Sequence, residues 1–450
     1  MKTPISSSYV NVSVTEKIGY GLGDFASNLS FGFVSLFLLF YYTDVYGITA
    51  AQASIIFVVA RVIDAVFNLI IGYFVDKTDS KYGKLRPYLL YGAIPLGLLT
   101  VLCFVFFDGD FKFGFALFTY TLYCLAYTAV NTPYSAMTNT LTQDEKSRAS
   151  LSVYRFALAS LGYLVVSTSS TPLVAMFDDA QTGYIAAVGI YSALATLCFL
   201  ACFALTKERV QPQTSTQPLK LKESLQTIFK NKPLINVSLF TLFFYVAYTV
   251  WMAIAIYFIQ YVLEKPEFTT TFFFIQTAAY TLGIVCSDRL ITWFGKKTVT
   301  LFGLLFGITG LMAQYFLAGD NLILIMTCIC MFSITLGIGF VTMWSMVPDT
   351  VEYAEWHYNV RAEGSIYGFY NFITKIAMAL GGGCAGFILD LFDYSSEQIT
   401  ANAIDGINLS ITVFPAILFG LCFVIVMSYQ LSENTYRDIV EKIQLRKSQA

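Results

Sequence analysis

Twelve runs of about 20 mostly apolar residues recur along the 450-residue chain, and a run of that length can cross the hydrocarbon core of a bilayer as a helix. Only 12% of the residues are charged, whereas soluble domains carry about 25%. The chain is therefore predicted to be an all-α membrane protein with twelve transmembrane helices. The predicted spans are residues 18–43, 51–75, 86–107, 112–137, 150–175, 183–205, 234–262, 268–292, 298–318, 321–346, 364–390 and 405–430.

Lys and Arg are distributed unevenly among the loops that join these spans. Of the 27 such residues, only Lys112 and Lys265 lie in loops on one side, three lie within spans, and the remaining 22 lie on the other side. Cytoplasmic loops carry the excess of Lys and Arg, so both termini are predicted to be cytoplasmic. Residues 1–17 lack the pattern of a cleaved signal, and we expect the first span to direct insertion.

A polar segment at 206–233 is predicted to be a cytoplasmic linker between two halves. Asp76-Lys77, followed after five residues by Gly83-Lys84, returns 212 positions later as Asp288-Arg289 and Gly295-Lys296. A second motif, from Arg148 to Phe156, returns 213 positions later. The shared offset indicates a parallel repeat of two six-helix halves. The predicted parts are a tail at 1–17, helix bundles at 18–205 and 234–430, the linker between them, and a tail at 431–450.

The second span carries polar groups on one face, because Arg61, Asp64 and Asn68 recur at i, i+3 and i+7. A charged side chain in the middle of a membrane helix costs about 2.5–3.5 kcal/mol on insertion scales, so it normally faces a partner or a water-filled path. Asp64 is therefore the first candidate functional residue. An ion pair between Arg61 and Asp64 that only packs the bundle is the simpler interpretation, and the sequence leaves it open.

The repeated loops suggest a cytoplasmic gate. Gly72 permits close helix approach, and the acids and bases that follow it can hold adjacent helix ends together in one conformation and release them in another. The basic residues have a second interpretation, in which they only fix the orientation of the chain in the membrane. Acidic residues contribute nothing to the Lys and Arg bias that sets this orientation. The candidate gate residues are Asp76, Lys77, Asp288, Arg289, Asp349 and Arg361.

Five motifs occur together along nearly the whole chain: GYGLGDFASN at 19–28, YYTDVYG at 41–47, DKTDSKYGKLRPYLL at 76–90, NTPYSAM at 131–137, and VPDTVEYAEW followed by RAEGS at 347–365. In combination they resemble the glycoside-pentoside-hexuronide:cation symporters, a branch of the major facilitator superfamily. The resemblance implies two pseudo-symmetric six-helix halves in the bacterial cytoplasmic (inner) membrane. It also implies a central site reached alternately from each side, and sugar uptake driven by Na+, H+ or Li+.

The resemblance implies a set of substrate residues. The sugar-binding acids of the melibiose permease fall on Asn28 and Asn131, its sugar-site arginine on Arg155, and its stacking tryptophan on Ser135. Asp24, one turn before Asn28, is an acid that the melibiose permease lacks at that place. These departures make a hexuronide or another sugar as plausible as a galactoside. The predicted substrate residues are Asp24, Asn28, Asn131 and Arg155.

The resemblance also implies a cation site made of Asp64, Asn68, Thr128 and Lys375. The melibiose permease has two carboxylates one turn apart, and Asn68 replaces the second of them here. An amide oxygen can ligate a cation, but it brings no charge and cannot release a proton. We therefore expect weaker Na+ binding than at a two-acid site, and H+ is slightly favoured over Na+ as the coupling ion.

Each assignment has a structural alternative. Asn28 and Asn131 suit helix-to-helix hydrogen bonds, worth about 0.6 kcal/mol per pair in membranes, and Arg155 is near enough to a span end to snorkel. His357, the only histidine, is expected to be solvated. Uncoupled facilitation and transport of another polar organic solute also stay open.

Other function classes fit the sequence less well. With one histidine and no H-E-x-x-H motif the chain does not suit metal-dependent hydrolysis, and it has no phosphate-binding G-x-x-x-x-G-K-[ST] loop. Its nine cysteines show no metal-ligand spacing, and its net charge of -2 indicates no nucleic-acid binding. We expect no enzyme activity, no cofactor beyond the coupling ion, and no obligatory protein partner. The expected partners are a small sugar, a monovalent cation and the bilayer.

The orientation can be tested with reporter fusions. A periplasmic alkaline phosphatase fused after Gln217 should be inactive, because the linker is predicted to be cytoplasmic. Fusions after Lys112 and Lys265 should be active, because both residues are predicted to lie outside. An active enzyme after Gln217 would contradict the predicted topology.

Overall fold

The computed structural model describes residues 12–78, 80–142, 145–209, 228–319, 321–358, 363–396, 398–431, 435–436, 438–439, 441–442 and 445. The central part of the predicted linker and most of both predicted tails lie outside these ranges. The chain divides into two compact units. The first comprises Met1–Ser215 with Glu267–Phe273, and the second comprises Thr216–Pro266 with Phe274–Ala450.

Helices account for the regular structure of the described residues. The first helix of each half ends in a π-helical turn, at Tyr41–Val45 and Phe258–Val262 respectively. The first seven helices are α1 Val14–Phe40, α2 Ala50–Lys77, α3 Arg86–Leu102, α4 Lys112–Ala136, α5 Thr138–Leu141, α6 Glu145–Val174 and α7 Ala180–Leu205. After them come α8 Lys232–Tyr257, a 3-10 turn Pro266–Phe268, α9 Thr269–Phe294, α10 Lys296–Leu317, α11 Leu322–Tyr358, α12 Glu363–Leu391, α13 Ala401–Ile411 and α14 Val413–Met427.

Apolar segments that suit a bilayer account for nearly all of these helices. Within the described residues eleven segments are long and apolar enough to cross a bilayer, and α3 is a shorter apolar helix of 17 residues, at the lower limit for a span. The last span runs over Ala401–Met427 and is divided into α13 and α14 at Thr412, whose φ of -120° and ψ of -73° leave the helical region. The prediction of an all-α fold with twelve spans is confirmed.

Polar caps fix where several of the helices begin. Ser13, Asp179 and Thr400 each accept a backbone N–H from the first turn of α1, α7 and α13, and Thr49 forms a reciprocal capping box with Gln52 at α2. These contacts satisfy N–H groups that the helix itself leaves unpaired. At α7 the hydrogen bonds from Thr182 lower the pKa of the Asp179 carboxyl.

Close contact between α1 and α6 places the polar residues of the first unit side by side. A Cβ atom added at Gly162 of α6 would lie 2.7 Å from the carbonyl oxygen of Phe25 on α1. Only glycine permits such an approach, as in small-residue contacts between membrane helices generally. The contact brings the residues next to Phe25 within reach of those on α6.

Each half contains the same kind of contact between its own first and last helices. The Cys202 thiol on α7 donates to the Tyr20 carbonyl on α1 over 3.9 Å, and the Cys422 thiol on α14 donates to the Phe240 carbonyl on α8 over 3.7 Å. Both pairs are 182 positions apart in sequence. The matching contacts and the two π-helical turns agree with the repeat predicted from the loops.

Candidate functional site

A partly buried ion pair joins α1 to α6 in the first unit. Arg155 Nε donates to Asp24 Oδ2, and Arg155 Nη2 donates to Asp24 Oδ1 over 3.5 Å. The same Nη2 donates to Ser135 Oγ on α4 over 3.3 Å. Asp24 is only 9% exposed, and a charge buried to that degree needs a partner. One guanidinium therefore joins three helices.

Two tyrosine rings hold that guanidinium from the side. Arg155 Cζ lies 5.2 Å from the ring centroid of Tyr134 and 6.0 Å from that of Tyr20, within the range of cation–π attraction. The Tyr134 hydroxyl donates to the Tyr20 carbonyl over 2.7 Å, and the Tyr20 hydroxyl bonds the Thr138 hydroxyl at 2.6 Å. These bonds fix the rings, and the rings fix the orientation of the guanidinium fork.

The two predicted asparagines belong to the same network. Asn28 Nδ2 donates to the Asp24 backbone carbonyl over 2.9 Å, and Ser27 Oγ donates to Asn131 Oδ1 over 3.5 Å. Both asparagines are half-buried. The structure thus brings all four predicted substrate residues together, on α1, α4 and α6.

A second polar cluster lies between α2 and α4. Asp64, 1% exposed, accepts a hydrogen bond from Thr128 Oγ1. One turn further along both helices, Asn68 Oδ1 accepts from Thr132 Oγ1 over 2.8 Å. Thr132 is missing from the predicted set, although its position four residues after Thr128 indicates the same helix face. Carboxylate, amide and hydroxyl oxygens therefore lie together in two hydrogen-bonded pairs, one helical turn apart.

Arg61 balances the charge of this cluster. Arg61 is 9% exposed, and its Cζ lies 5.3 Å from the ring centroid of Phe31 and 5.9 Å from that of Tyr120. Its charge interacts electrostatically with Asp64. The aromatic faces compensate part of its lost hydration. Lys375, the remaining predicted member of the cation site, is half-buried on α12 of the second unit.

The predicted gate is described only in part. In the second unit Asp349 is buried, and Lys296 Nζ lies 2.8 Å from each of its carboxylate oxygens and 2.9 Å from the Ser345 carbonyl. This ion pair joins the start of α10 to α11. Lys77 and Arg289 are exposed. The side chains of Asp76 and Asp288, and residue Arg361, lie outside the described residues.

A carboxylate contact at the start of α3 is absent from the sequence prediction. Glu208, just after α7, accepts three consecutive backbone N–H groups, from Lys84 over 3.0 Å, Leu85 over 2.8 Å and Arg86 over 2.9 Å. A helix N-terminus offers such unpaired N–H groups and favours negative charge. Gly83 has a φ of +102°, and a Cβ atom there would lie 2.6 Å from the Glu208 carboxylate. The contact explains the glycine at position 83, and its repeat Gly295 shares a positive φ, of +78°.

The residues on either side of Glu208 extend this contact, and we call Lys207–Arg209 the clasp. The Arg209 guanidinium donates to both carboxylate oxygens of Glu16 over 2.7 and 2.9 Å. The Arg209 backbone N–H donates to the Thr140 carbonyl over 2.9 Å, and the Lys207 backbone N–H donates to Glu16 over 3.1 Å. The clasp therefore ties the ends of α1, α3, α5 and α7 together.

The second unit makes the corresponding connection with different chemistry. Lys297 Nζ, at the start of α10, donates to the Met427 and Tyr429 carbonyls at the end of α14, over 2.8 Å each. An ammonium group suits the unpaired carbonyls of a helix C-terminus, just as a carboxylate suits an N-terminus. Both halves thus fasten the loop after their second helix to the end of their sixth span.

Comparison with known proteins identifies the family. Residues 19–433 match the family of MFS/sugar transport proteins. The chain belongs to this family. The resemblance to the glycoside-pentoside-hexuronide:cation symporters is confirmed, and the function is transport rather than catalysis.

Several relatives are similar along nearly their whole length. The isoprimeverose transporter of Lactiplantibacillus pentosus is 33% identical, over 93% of this chain and 89% of the relative. A putative glycoside/cation symporter of Escherichia coli is 32% identical, over 94% and 93%. A putative 2,3-dihydroxypropane-1-sulfonate exporter of Salmonella typhimurium is 32% identical, over 99% of each.

Solved structures support the fold. The crystal structure of the nucleoside transporter NupG matches with a TM-score of 0.68, over 92% of this chain and 100% of that chain. At 12% identity this likeness concerns the fold alone. Together with the family match and the apolar helices, it establishes a multi-pass membrane protein.

Removing the central carboxylate of the clasp should weaken the first unit. Glu208→Ala loses three hydrogen bonds to a charged acceptor, and we expect a loss of roughly 2–4 kcal/mol. The midpoint of thermal unfolding of the purified protein in detergent measures the effect. Glu267→Ala removes an exposed acid and is the matched control. Equal midpoints for the two variants would show that the clasp contributes no stability.

Proposed function

We propose that this protein is a sugar:cation symporter that imports a glycoside, pentoside or hexuronide with H+ or Na+ by alternating access. The observation that carries the proposal is that α4 contributes to both polar clusters. Thr128 and Thr132 bond the α2 residues, whereas Asn131 and Ser135 bond residues of α1 and α6. A single helix therefore joins the candidate sugar site to the candidate cation site.

The sugar site is proposed to be the network of Asp24, Asn28, Asn131 and Arg155. A sugar presents hydroxyl groups that both donate and accept, so its site needs convergent donors and acceptors in a mostly apolar setting. The guanidinium supplies donors, the Asp24 carboxylate supplies acceptors, and the amides supply both. The Tyr20 and Tyr134 rings are fully buried and orient the guanidinium within this network.

The cation site is proposed to be Asp64 with the oxygens of Asn68, Thr128 and Thr132. Protonation or Na+ binding at Asp64 changes what Thr128 and Arg61 face, and α4 carries that change to Asn131. Coupling of this kind is reciprocal, so sugar must tighten cation binding by the factor by which the cation tightens sugar binding. Both termini are proposed to lie in the cytoplasm of a bacterial cell, with the chain in its inner membrane.

A second candidate is a carrier for another polar organic solute, uncoupled or coupled in a different way. Arg61 already supplies one positive charge beside Asp64, and Asn68 brings no second negative charge. A relative named as an exporter of a hydroxylated sulfonate supports the same alternative. Counterflow in proteoliposomes, with and without Na+ and with an imposed pH gradient, separates the two candidates. Sugar counterflow that changes neither with Na+ nor with the pH gradient would favour the uncoupled carrier.

Two substitutions test the sugar site. Arg155→Lys keeps the charge but loses the planar fork that joins Asp24 and Ser135, and Asn131→Ala removes the amide of α4. We expect about tenfold weaker sugar affinity in each, equivalent to about 1.4 kcal/mol. Counterflow with isoprimeverose, D-xylose and D-glucuronate measures the affinity. Asn236→Ala, which removes a half-buried amide of α8 in the second unit, should behave as the unsubstituted protein. Unchanged affinity in Asn131→Ala would exclude this placement of the site.

Asp64→Asn tests the coupling. It removes the carboxylate of the α2–α4 cluster, so gradient-driven accumulation should be abolished while sugar exchange across the membrane partly survives. Accumulation and exchange are measured in the same proteoliposomes, and Asp108→Asn, in an exposed loop, is the control. Full accumulation by Asp64→Asn would remove Asp64 from the mechanism and assign the role to Asp24.

A further inference from the structure

A large cavity lies wholly within the second unit, at the end that the charge bias predicts to face outside. Its volume is about 1070 Å³, which is large enough for a small solute with its water. None of the residues discussed above as sugar, cation or gate residues lines it. The lining comes from the π-helical end of α8, the end of α10 and the polar face of α13, including Phe258, Lys265, Gln314, Phe316, Asp405 and Asn408.

Gln314 on the cavity wall is the unusual residue. It is 6% exposed, and neither its Nε2 nor its Oε1 has a hydrogen-bond partner among the described residues. A buried polar group without a partner loses its hydration and gains nothing in return, so such groups are rare and need an explanation. Both amide atoms are shielded from solvent, so a rotation of the side chain is needed before they can bond whatever enters the cavity.

A polar stripe on α13 also lines the cavity. The stripe consists of Asn402, Asp405, Asn408 and Thr412, at positions i, i+3, i+6 and i+10. This spacing places the four side chains on one face of the helix. The helix ends just before the last of these positions, where the Thr412 hydroxyl donates to the Asn408 carbonyl. Interrupted membrane helices commonly line ligand cavities, because the interruption leaves backbone groups that need polar surroundings.

The chemistry of the lining selects a class of ligand. Amides from Gln314, Asn402 and Asn408 each pair a donor with an acceptor, and a hydroxyl group matches such a pair. The Asn402 amide donates one N–H to Asp393 Oδ2 over 3.4 Å and keeps its second N–H and its oxygen. Glu264, Lys265 and Asp405 place both signs of charge in the lining, which favours an aqueous solute over a lipid tail and disfavours a strong anion. Phe258 and Phe316 add apolar surface. We propose that this cavity is a second binding site, for a neutral hydroxyl-rich solute the size of a monosaccharide.

The site can be tested on the full chain in lipid nanodiscs. Phe316→Trp places a fluorescent reporter in the lining, and the probes are D-xylose, D-glucose and D-glucuronate at millimolar concentrations. We expect a saturable fluorescence change with both neutral sugars and weaker binding of the glucuronate anion. Adding Gln314→Leu should weaken neutral-sugar binding about tenfold, because it removes both amide hydrogen bonds. Gln260→Leu, an exposed glutamine outside the lining, should leave binding unchanged.

Two further measurements keep the test decisive. In the absence of sugar, Gln314→Leu should unfold at the same or a higher temperature, because it removes a buried amide that lacks a partner. The rise in unfolding temperature that D-xylose causes in an Asn131→Ala background should be lost when Gln314→Leu is added. The Asn131→Ala background weakens sugar binding at the proposed transport site, so the effect that is lost on adding Gln314→Leu is assigned to this cavity. No saturable response to either neutral sugar, equal binding in Gln314→Leu, or tighter binding of D-glucuronate would each overturn the proposal.

Discussion

The ion pair between Asp24 and Arg155 is the interaction on which the first unit depends. The Asp24 carboxylate cannot stay buried alone, because an uncompensated buried charge costs several kcal/mol; Arg155, whose side chain is 25% exposed, supplies its partner. The pair therefore fixes α1 against α6, and the contact from Arg155 to Ser135 fixes both against α4. The Gly162 contact with Phe25 supplies the close approach that the short side chain of Asp24 requires.

The ion pair between Asp24 and Arg155 is also one that a bound solute can separate. The guanidinium faces a hydroxyl group and two aromatic rings, and a hydroxyl-rich solute can replace part of the ion pair by donating to the carboxylate and accepting from the guanidinium. Because α4 carries Asn131 and Ser135 as well as Thr128 and Thr132, a shift of α4 alters both polar clusters at once. Energetic coupling between the candidate sugar site and the candidate cation site then requires no long chain of intermediate residues.

Much of this arrangement could be predicted from the sequence. Apolar run length indicated the spans, and the repeated loop motifs indicated two halves. The family resemblance indicated Asn28, Asn131 and Arg155, and Asp24 was added as an acid one turn before Asn28; the structure brings all four together. The partners were harder to predict, because spacing along one helix shows which residues share a face but not which helix lies opposite. Thr132, Glu208 and Gln314 were missed for that reason. Glu208 in addition lies in a segment whose polarity indicated only a linker.

The clasp has a mechanical consequence for the first unit. The Glu208 carboxylate, the Arg209 guanidinium and the Arg209 backbone N–H hold the ends of α1, α3, α5 and α7, so these ends cannot separate one helix at a time without breaking several bonds together. The six-helix half is therefore stiff at this end. We expect these helix ends to move together, as one rigid body, when the half rotates. The clasp thus determines how these helices move relative to one another, although it contacts none of the proposed substrate residues.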